Sequence, residues 1–561
     1  MKVPLLLFMV YVLVAGVMSA QSLDGLSGQK PFAVHGAINT RAMFYDVSGI
    51  AARRKPFTYL MTGAVDFDIY GFHIPVSFIL SEQERSFRQP FNQFGLSPTY
   101  KWITLHGGYR NISFSPFTLD GYTMLGGGAE LRPGKWHIGF MAGRLNRAVA
   151  ANPISGDLQP VSFSREGYTG KVGYGNDSTN IMITFIKGKD NPRSINYRAD
   201  SSDLTPAENL AVSLGGRLAF LKHLYIEAEG GVSLYTRNID NTLDPDTSFF
   251  DKHPALSNLM TINATSELNK AIRAGFGYQN KTFGLSLQYR RIDPNYQSMG
   301  AYFFQNDLES YTINPMVMLW QGRVRFNGSI GIQRDNLSDQ KQATAKRVIS
   351  SANASVNVTD RFGIDLTYSN YATSQNPTAI KLNDSLRVAQ TTQNFALTPH
   401  YFIVNEKLNH VFTLSLNHML LDDYSVFSEQ RNVTATNAFF NYQVTILKSG
   451  INVFTGINYT RLTTAQGESG NQGLTLGGGK GFLQNRGQVR LTNSIINNKQ
   501  STGSSLLYTH GLSGNLRASK HHAFSVSMNY INNRGATQVQ ESGAYPAYQE
   551  WRGEVAYTLS F

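Results

Sequence analysis

The sequence predicts an all-β protein made of a single large transmembrane antiparallel β-barrel. Apolar and polar residues alternate with a period of two along most of the chain, short turn signals alternate with long polar stretches, and the composition is unusual for a water-soluble protein. The 561 residues include only 16% charged residues, but 12% aromatic residues and 51 glycines. Helical enzymes are richer in Ala, Leu, Glu and Lys, and disordered chains are poor in aromatic residues, so the composition disfavours both classes.

The N-terminal residues predict a signal peptide that is removed on export. Lys2 gives a positive start, residues 5–17 form an apolar run, and residues 18–20 form a small-residue cleavage site. The apolar run is shorter than the ~20 residues that a spanning helix needs. We therefore assign residues 1–20 to the signal peptide and residues 21–561 to one outer-membrane β-barrel domain.

The alternation is clear between Arg323 and Asp335. The even-numbered positions 324–332 hold Val, Phe, Gly, Ile and Ile, whereas the odd-numbered positions hold Arg, Asn, Ser, Gly, Gln and Asp. Because successive side chains of a strand point to opposite faces, this pattern predicts a strand with lipid or core on one face and water on the other. The same pattern recurs in the ranges 61–69, 224–234, 283–290, 361–369 and 524–530.

Short turn signals and long polar stretches separate the predicted strands. The short signals include residues 176–177, 322, 359–360, 448–450 and 484–486, and the long stretches are 148–166, 188–208, 238–257, 374–389 and 535–549. In outer-membrane barrels short turns face the periplasm and long loops face outward, so we expect short periplasmic turns and long extracellular loops. The 541 residues left after the leader, at about 22 per strand and connection, predict roughly 24 strands, with a range of about 20–26.

The polar parity of the strands is expected to line the lumen, because an Arg or Lys on the lipid face costs about 2–4 kcal/mol at mid-membrane. The charged residues predicted to line it are Arg273, Arg290, Arg323, Arg325, Asp66, Asp68, Glu227, Glu229 and Glu554. Barrel closure brings the first and last strands together, so acids from both chain ends would gather at the seam, with arginines across from them. One hypothesis is a transverse field that orients solutes in passage; the alternative is a set of ordinary solvated wall charges.

The last strand ends in a specific pattern. Val555, Tyr557 and Leu559 share one face with a terminal aromatic residue, Phe561. The pattern resembles the C-terminal insertion signal of Gram-negative outer-membrane β-barrel proteins, and this resemblance implies recognition by the barrel assembly machinery and a multi-pass location in the cell outer membrane. The segment from 94–102 through 133–135 is also similar to that of large porin-like outer-membrane barrels, which implies no particular activity.

The sequence carries no signature of catalysis, of a metal site or of a cofactor site. It contains no Cys, which excludes thiolate ligands and nucleophiles, and it has no G-x-S-x-G or H-E-x-x-H pattern. The run Gly477–Lys480 lacks the upstream Gly and the following Ser or Thr of a phosphate loop. We therefore predict a protein that is not an enzyme, although a Ser, a His and an acid converging at the barrel wall would make a hydrolase.

The alternation begins close behind the leader, at Val34, Gly36 and Ile38. This leaves no room for the N-terminal plug of a TonB-dependent receptor, so energised uptake is disfavoured. Any closure of the lumen must then come from loops that fold inward.

The predicted function is passive, porin-like passage of small polar solutes through a polar lumen. The alternative is a structural or interaction barrel, which would anchor a surface protein, join a secretion complex or act as an adhesin; an outer-membrane hydrolase is the less favoured third possibility. The formal net charge of +12 suits anionic headgroups, so outer-membrane lipid and lipopolysaccharide are expected partners. The barrel assembly machinery and a surface lipoprotein or secretion partner are also expected, whereas nucleic acid is not, because the protein is exported.

Overall fold

The computed structural model of the chain describes residues 31–82, 92–150, 161–195, 204–245, 250, 252–301, 306–341, 343–377, 388–423, 432–484, 486–500, 503–535 and 546–561. The predicted signal peptide, residues 1–20, lies outside these ranges, as do parts of the long loops predicted over 148–166, 188–208, 238–257, 374–389 and 535–549. Within the described ranges no helix is both long and apolar enough to cross a membrane. Short 3-10 helices occupy Pro192–Ser194, Pro254–Asn258 and Trp320–Gly322.

Antiparallel strands close on themselves to form one barrel. Strand β1 (Ala33–Ser48) pairs with β2 (Phe57–Ile69) on one side and with the last strand, β29 (Tyr548–Ser560), on the other. Strands β4 and β5 share one position between β3 and β6, so the described residues form a wall of 26 strands. The predicted all-β barrel is confirmed. Its strand number lies at the upper end of the predicted range of about 20–26, because some connections, such as 465–466, are only two residues long.

The strands from β3 to β17 build the first part of the wall. Two short elements among them, β7 and β16, lie outside the wall and pair only with each other. The bounds are β3 Phe72–Ser81, β4 Gln93–Leu96, β5 Thr99–Tyr100, β6 Ile103–Ile112, β7 Leu119–Asp120, β8 Tyr122–Leu131, β9 Trp136–Asn146, β10 Arg165–Gly175, β11 Asn180–Asp190, β12 Glu208–Phe220, β13 Leu224–Thr236, β14 Ser266–Gln279, β15 Phe283–Ile292, β16 Gly300–Ala301 and β17 Leu308–Leu319.

The strands from β19 onward are longer and contain 13 to 17 residues. Each pairs with its neighbour in the sequence, as in a simple up-and-down barrel. The bounds are β18 Val324–Arg334, β19 Ala343–Asn357, β20 Phe362–Pro377, β21 Val388–Val404, β22 Leu408–Asp423, β23 Val433–Ile446, β24 Ile451–Thr464, β25 Gly467–Phe482, β26 Gly487–Gln500, β27 Gly503–Arg517 and β28 His522–Arg534.

The start of the first strand and the end of the last strand meet at one rim of the barrel. Gly36 and Phe561 exchange two backbone hydrogen bonds of 2.9 and 3.0 Å, which join the start of β1 to the C-terminus. We call this the inner rim, and its connections are tight turns such as 176–179, 405–407 and 447–450. In outer-membrane barrels short turns mark the periplasmic side, so the opposite, outer rim faces outside the cell.

The outward face of the wall is apolar. Ile183, Leu214, Ile330 and Leu476 lie on outward positions of different strands, and each side chain is about half exposed. Aromatic residues flank this band, for example Trp136 and Tyr174 with ring centroids 5.1 Å apart. An apolar band bordered by aromatic residues on a closed barrel is the arrangement that matches a lipid bilayer. The chain is therefore an outer-membrane β-barrel.

One long outer connection, 237–265, packs back onto the outside of the wall. Its Phe250 and Met260 are buried against Leu234 of β13, and Leu210 of β12 and Leu268 of β14 pack on the same cluster. The strands β12–β14 thus gain a small second core on their outward face near the outer rim.

Candidate functional site

Two outer connections fold into the lumen and meet there. Residues 113–121, between β6 and β8, form a loop in which Phe117 and Leu119 are almost fully buried. Residues 293–301, after β15, contain β16, which pairs in parallel with β7 of the first loop. We call these two segments the inner loops. They occupy part of the lumen. The sequence analysis assigned any closure of the lumen to loops that fold inward.

The first inner loop is fastened to the wall by hydroxyl groups. Thr118 Oγ1 lies 2.8 Å from Thr184 Oγ1 of β11, and both side chains are buried. Ser115 donates its hydroxyl to the Glu229 carboxylate of β13. Ser213 of β12 donates to the same carboxylate at 2.9 Å. Because a buried polar group costs free energy unless it is paired, these bonds fix both the loop and the carboxylate.

The second inner loop is fastened both to the first and to the wall. The Tyr296 hydroxyl donates to the carbonyl of Phe117 at 2.9 Å, and Ser298 donates to the carbonyl of Thr118. The backbone N–H of Met299 donates to Asn209 Oδ1 of β12 at 3.0 Å. A glycine on the wall makes this close approach possible, since a Cβ at Gly231 would lie 2.8 Å from the Tyr296 hydroxyl oxygen.

An apolar core lies inside the barrel beneath these loops. Met124, Met141, Ile186 and Ala211 point inward from β8, β9, β11 and β12, and they pack with Leu119 at 0–1% exposure. Complete burial of such a side chain contributes roughly 1.5–3 kcal/mol. The inner loops are therefore held by packing as well as by hydrogen bonds. We call the inner face of β8–β15 the packed wall.

A charged cavity of about 780 Å³ borders the inner loops and the packed wall. Arg217, Glu227, Glu229, Arg273 and Arg290 are among its lining residues. Arg273 Nη2 lies 2.8 Å from Glu229 Oε2, and Arg217 Nη1 lies 3.9 Å from Glu227 Oε2. Arg290 is directly opposite Arg273 on the neighbouring strand, and it makes no ion pair with any residue that the structure describes. The cavity thus presents one guanidinium without an ion-pair partner among the described residues, and the carboxylates of Asp120 and Asp177 also line it.

Four of the predicted lumen residues therefore meet in this cavity: Glu227, Glu229, Arg273 and Arg290. The predicted Arg323 and Arg325 lie elsewhere, at the inner rim. Arg323 pairs with Asp360 of the next turn at 3.0 Å, and Arg325 Nε donates to the carbonyl of Gly322 at 3.2 Å. The four arginines therefore form two separate pairs at different heights, which the sequence alone did not indicate.

The predicted seam acids each have a nearby basic partner. Glu554 lies 3.2 Å from Arg41 of β1. Asp66 and Asp68 lie 3.7 and 2.9 Å from the two ring nitrogens of His73. Because Glu554 is paired with Arg41, a transverse field across the lumen would be weaker than a count of the residues suggests. Its effect on solutes stays a prediction.

The predicted insertion signal lies on the strand that closes the barrel. Val555, Tyr557 and Leu559 are opposite Ala42, Thr40 and Ile38 of β1. Val555 is about half exposed on the outward face. Phe561 ends the chain at the inner rim through its bonds to Gly36. Recognition of these residues by the assembly machinery stays a prediction.

A Ser, a His and an acid do converge at one place in the wall. Ser97 Oγ lies 2.7 Å from His106 Nδ1, and His106 Nε2 lies 3.3 Å from Glu130 Oε1. Lys171 also donates to Glu130 at 2.6 Å. Ser97, however, is only 4% exposed, so its hydroxyl is shielded from a solute in the lumen. The geometry fits a buried hydrogen-bond network that stiffens the wall better than an accessible nucleophile.

The inner face of β21–β27 is different, and we call it the bare wall. Its inward side chains carry amides and hydroxyls that remain partly exposed. Cross-strand hydrogen bonds join them: Asn417 to Asn394 at 2.9 Å, Asn458 to Asn471 at 3.0 Å, and Thr475 to Ser494 at 2.9 Å. Asn437 and Thr509 lie on the same face, together with the inward rings of Phe439 and Phe454 and the guanidinium of Arg490. The bare wall is therefore mostly amide and hydroxyl, with a few aromatic rings and one cation above the Phe454 ring.

The sequence analysis missed the inner loops. Residues 113–121 contain Phe114, Phe117 and Leu119 beside a proline, and residues 293–301 contain Tyr296 and Met299. Large apolar residues are unexpected in a solvated extracellular connection. Their presence was the signal that these two connections bury part of their length.

No family model and no curated protein matches the sequence. Among solved structures, the P pilus usher (PapC) translocation pore is similar over 94% of this chain and 99% of its own, at 8% identity and a TM-score of 0.39. The siderophore receptor PirA from Pseudomonas aeruginosa is similar over 95% and 81%, at 11% identity and a TM-score of 0.39. OccAB4 from Acinetobacter baumannii is similar over 71% and 98%, at 13% identity and a TM-score of 0.29. These similarities concern the fold alone.

Proposed function

We propose that this protein is a passive channel for small polar solutes. One observation carries the proposal: the inner loops cover the packed wall, whereas inward side chains of the bare wall stay partly exposed to the lumen. A solute path would therefore run along the bare wall and pass the charged cavity on its other side.

The chemistry of the bare wall supports this path. Amide and hydroxyl groups both donate and accept hydrogen bonds, so they can replace water around a polar solute without holding it tightly. Arg290 faces the cavity on the opposite side and adds a local positive charge. A channel needs attraction strong enough for entry and weak enough for release, and a mostly neutral wall meets that condition.

The test is conductance of the purified full-length protein in planar lipid bilayers. The sequence contains no Cys, so a single introduced thiol is a unique probe. Asn458→Cys places it on the bare wall, and we expect a water-soluble thiol reagent to lower the current of this variant. Ala211→Cys is the matched control on the packed wall, where Ala211 is 0% exposed, and its current should not change.

A lack of steady current from the folded protein would overturn the proposal and favour the alternative of a structural or interaction barrel. Equal modification of both variants would place the open path somewhere other than the bare wall. Unaltered swelling of protein-loaded liposomes in small sugars would also count against passage of neutral solutes.

A further inference from the structure

Basic side chains form a row on the outward face of the wall near the outer rim. Arg291 of β15 is opposite Glu309 of β17, Glu309 is opposite Arg334 of β18, and Arg334 is opposite Lys346 of β19. On β14 the residue opposite Arg291 is Ile272, and Lys270 is the next outward residue toward the outer rim. We call Lys270, Arg291, Arg334 and Lys346 the cationic row.

The cationic row lies directly above the aromatic border of the apolar band. The next outward positions below Arg291 and Glu309 are Tyr289 and Tyr311, whose ring centroids are 4.9 Å apart. Ile332, below Arg334, is 60% exposed. Because tyrosines sit at the level of lipid headgroups, the cationic row lies at the level of the headgroup phosphates of the outer leaflet.

A buried acid organises the centre of the cationic row. Glu309 is 6% exposed, accepts a hydrogen bond from Arg334 Nε at 2.5 Å, and accepts another from the Tyr289 hydroxyl at 3.0 Å. The Nε contact leaves the Nη donors of Arg334 for a further ligand, because a guanidinium has five N–H groups. The Arg334 side chain is 54% exposed, so those donors are within reach of a headgroup.

The charge balance of the cationic row is positive. Its four cations face Glu309 and Asp293, and Asp339 also lies near enough to Arg334 to stabilise its charge, which leaves a net charge of about +1 at neutral pH. Lys270 and Lys346 are exposed and have no carboxylate within ion-pair distance among the described residues. A soluble protein could leave such cations in water, but here they border the bilayer.

We propose that the cationic row binds the phosphate groups of a phosphorylated glycolipid in the outer leaflet. Arginine and lysine form short, charge-assisted hydrogen bonds with phosphate oxygens. The acyl chains of the same lipid would lie on the apolar band around Ile313 and Ile330, which are both exposed on the outward face. This site is independent of the proposed channel, since no residue of the cationic row faces the lumen.

The test is binding of a bis-phosphorylated diglucosamine glycolipid to the full-length protein in zwitterionic detergent, measured by native mass spectrometry. We expect the triple variant Arg291→Gln, Arg334→Gln, Lys346→Gln to lose about 100-fold in affinity, since each surface cation contributes several-fold to binding of anionic lipid. The control variant is Arg461→Gln with Lys499→Gln, outward on β24 and β26, where Arg461 is already neutralised by Glu468 at 2.5 Å. This control should bind like the wild type.

Unchanged binding by the triple variant would overturn the proposal, and so would equally tight binding of the dephosphorylated glycolipid with the same acyl chains. Tight binding of inorganic pyrophosphate alone would assign the row to a soluble anion and overturn the lipid as its ligand. A heat-dependent shift in gel mobility identical to that of the wild type would establish that the triple variant is folded. If the triple variant does not fold, the double variant Arg334→Gln with Lys346→Gln replaces it in the binding measurement.

Discussion

The packed wall and the bare wall are built from the same kind of strand, but their inward residues differ. Met124, Met141 and Ile186 of the packed wall are sealed under the inner loops. Asn417, Asn458 and other amides of the bare wall are only partly buried. The outward residues of both walls are similar, since lipid imposes one requirement on the whole circumference. The inward residues alone therefore decide where the lumen is filled.

The largest effect should come from removing the first inner loop, which covers the packed wall. Replacing residues 114–120 with a Gly-Ser linker of equal length should raise single-channel conductance at least about twofold, because the loop would no longer occupy the lumen. Replacing 465–466, a two-residue connection beside the bare wall, with two glycines is the control and should leave conductance unchanged. Equal conductance of both variants and the wild type would mean that the inner loop does not restrict the path.

The next test weakens the attachment of the inner loop without removing it. Glu229→Ala deletes the acceptor shared by Ser115, Ser213 and Arg273, and leaving those donors unpaired should cost about 1–3 kcal/mol of loop stability. Hydrogen exchange of the Thr118 amide should then become about tenfold faster or more. Glu554→Ala is the control, because its partner Arg41 is half exposed and such pairs contribute little. Unchanged exchange of the Thr118 amide in Glu229→Ala would mean that the Glu229 carboxylate does not hold the loop in place.

A smaller effect concerns the sign of the charges that a solute passes. Arg290→Glu should shift the reversal potential in a salt gradient toward cation selectivity, because Arg290 faces the cavity without a described carboxylate partner. The double variant Arg323→Glu, Arg325→Glu alters the inner rim, where Arg323 is already paired with Asp360, and should shift it less. A larger shift from the rim variant would move the selectivity-determining charge from the cavity to the inner rim. Unchanged selectivity in that variant would also reject the predicted role of Arg323 and Arg325.

The smallest effect should appear when the pH is lowered, and it concerns the outer connection that contains Asp307. Burial acts to raise the pKa of Asp307, but Lys341 and the backbone N–H groups of Asn336 and Leu337 outweigh it and hold the pKa below its usual value. A lowered pKa in the folded state means that the stabilisation is present above the ordinary carboxyl pKa of about 4 and is lost as pH falls below it. Protection of the Asn336 and Leu337 amides, measured relative to their intrinsic exchange rates at each pH, should therefore fall at low pH, and Asp307→Asn should remove this pH dependence. A pH dependence that persists in Asp307→Asn would assign the effect to another group.

The sequence predicted the wall well and the interior poorly, for a physical reason. Alternation around Leu224 and Phe283 depends on neighbours two residues apart, so it can be read directly from the chain. The position of Phe117 depends on Tyr296, which lies 179 residues away, and no local pattern reports such a contact. Glu229 and Arg273 could be assigned to the lumen by parity, but their pairing required the register of β13 with β14.

The strand number lies at the upper end of the predicted range for a related reason. An average spacing per strand treats all connections alike, whereas the outer rim combines the long connection between β13 and β14 with the two-residue connection 465–466. Connection length follows from what each loop packs against, and that information is tertiary.

The bridge between Leu119 and Gly300 sets an order of events during biogenesis. Hairpins of a barrel can be added one after another, each closing against its immediate predecessor, but this bridge needs two segments from opposite ends of an eight-strand stretch of wall. Contacts of such long sequence separation form late. The two inner loops can therefore lock together only after β15 has joined the wall.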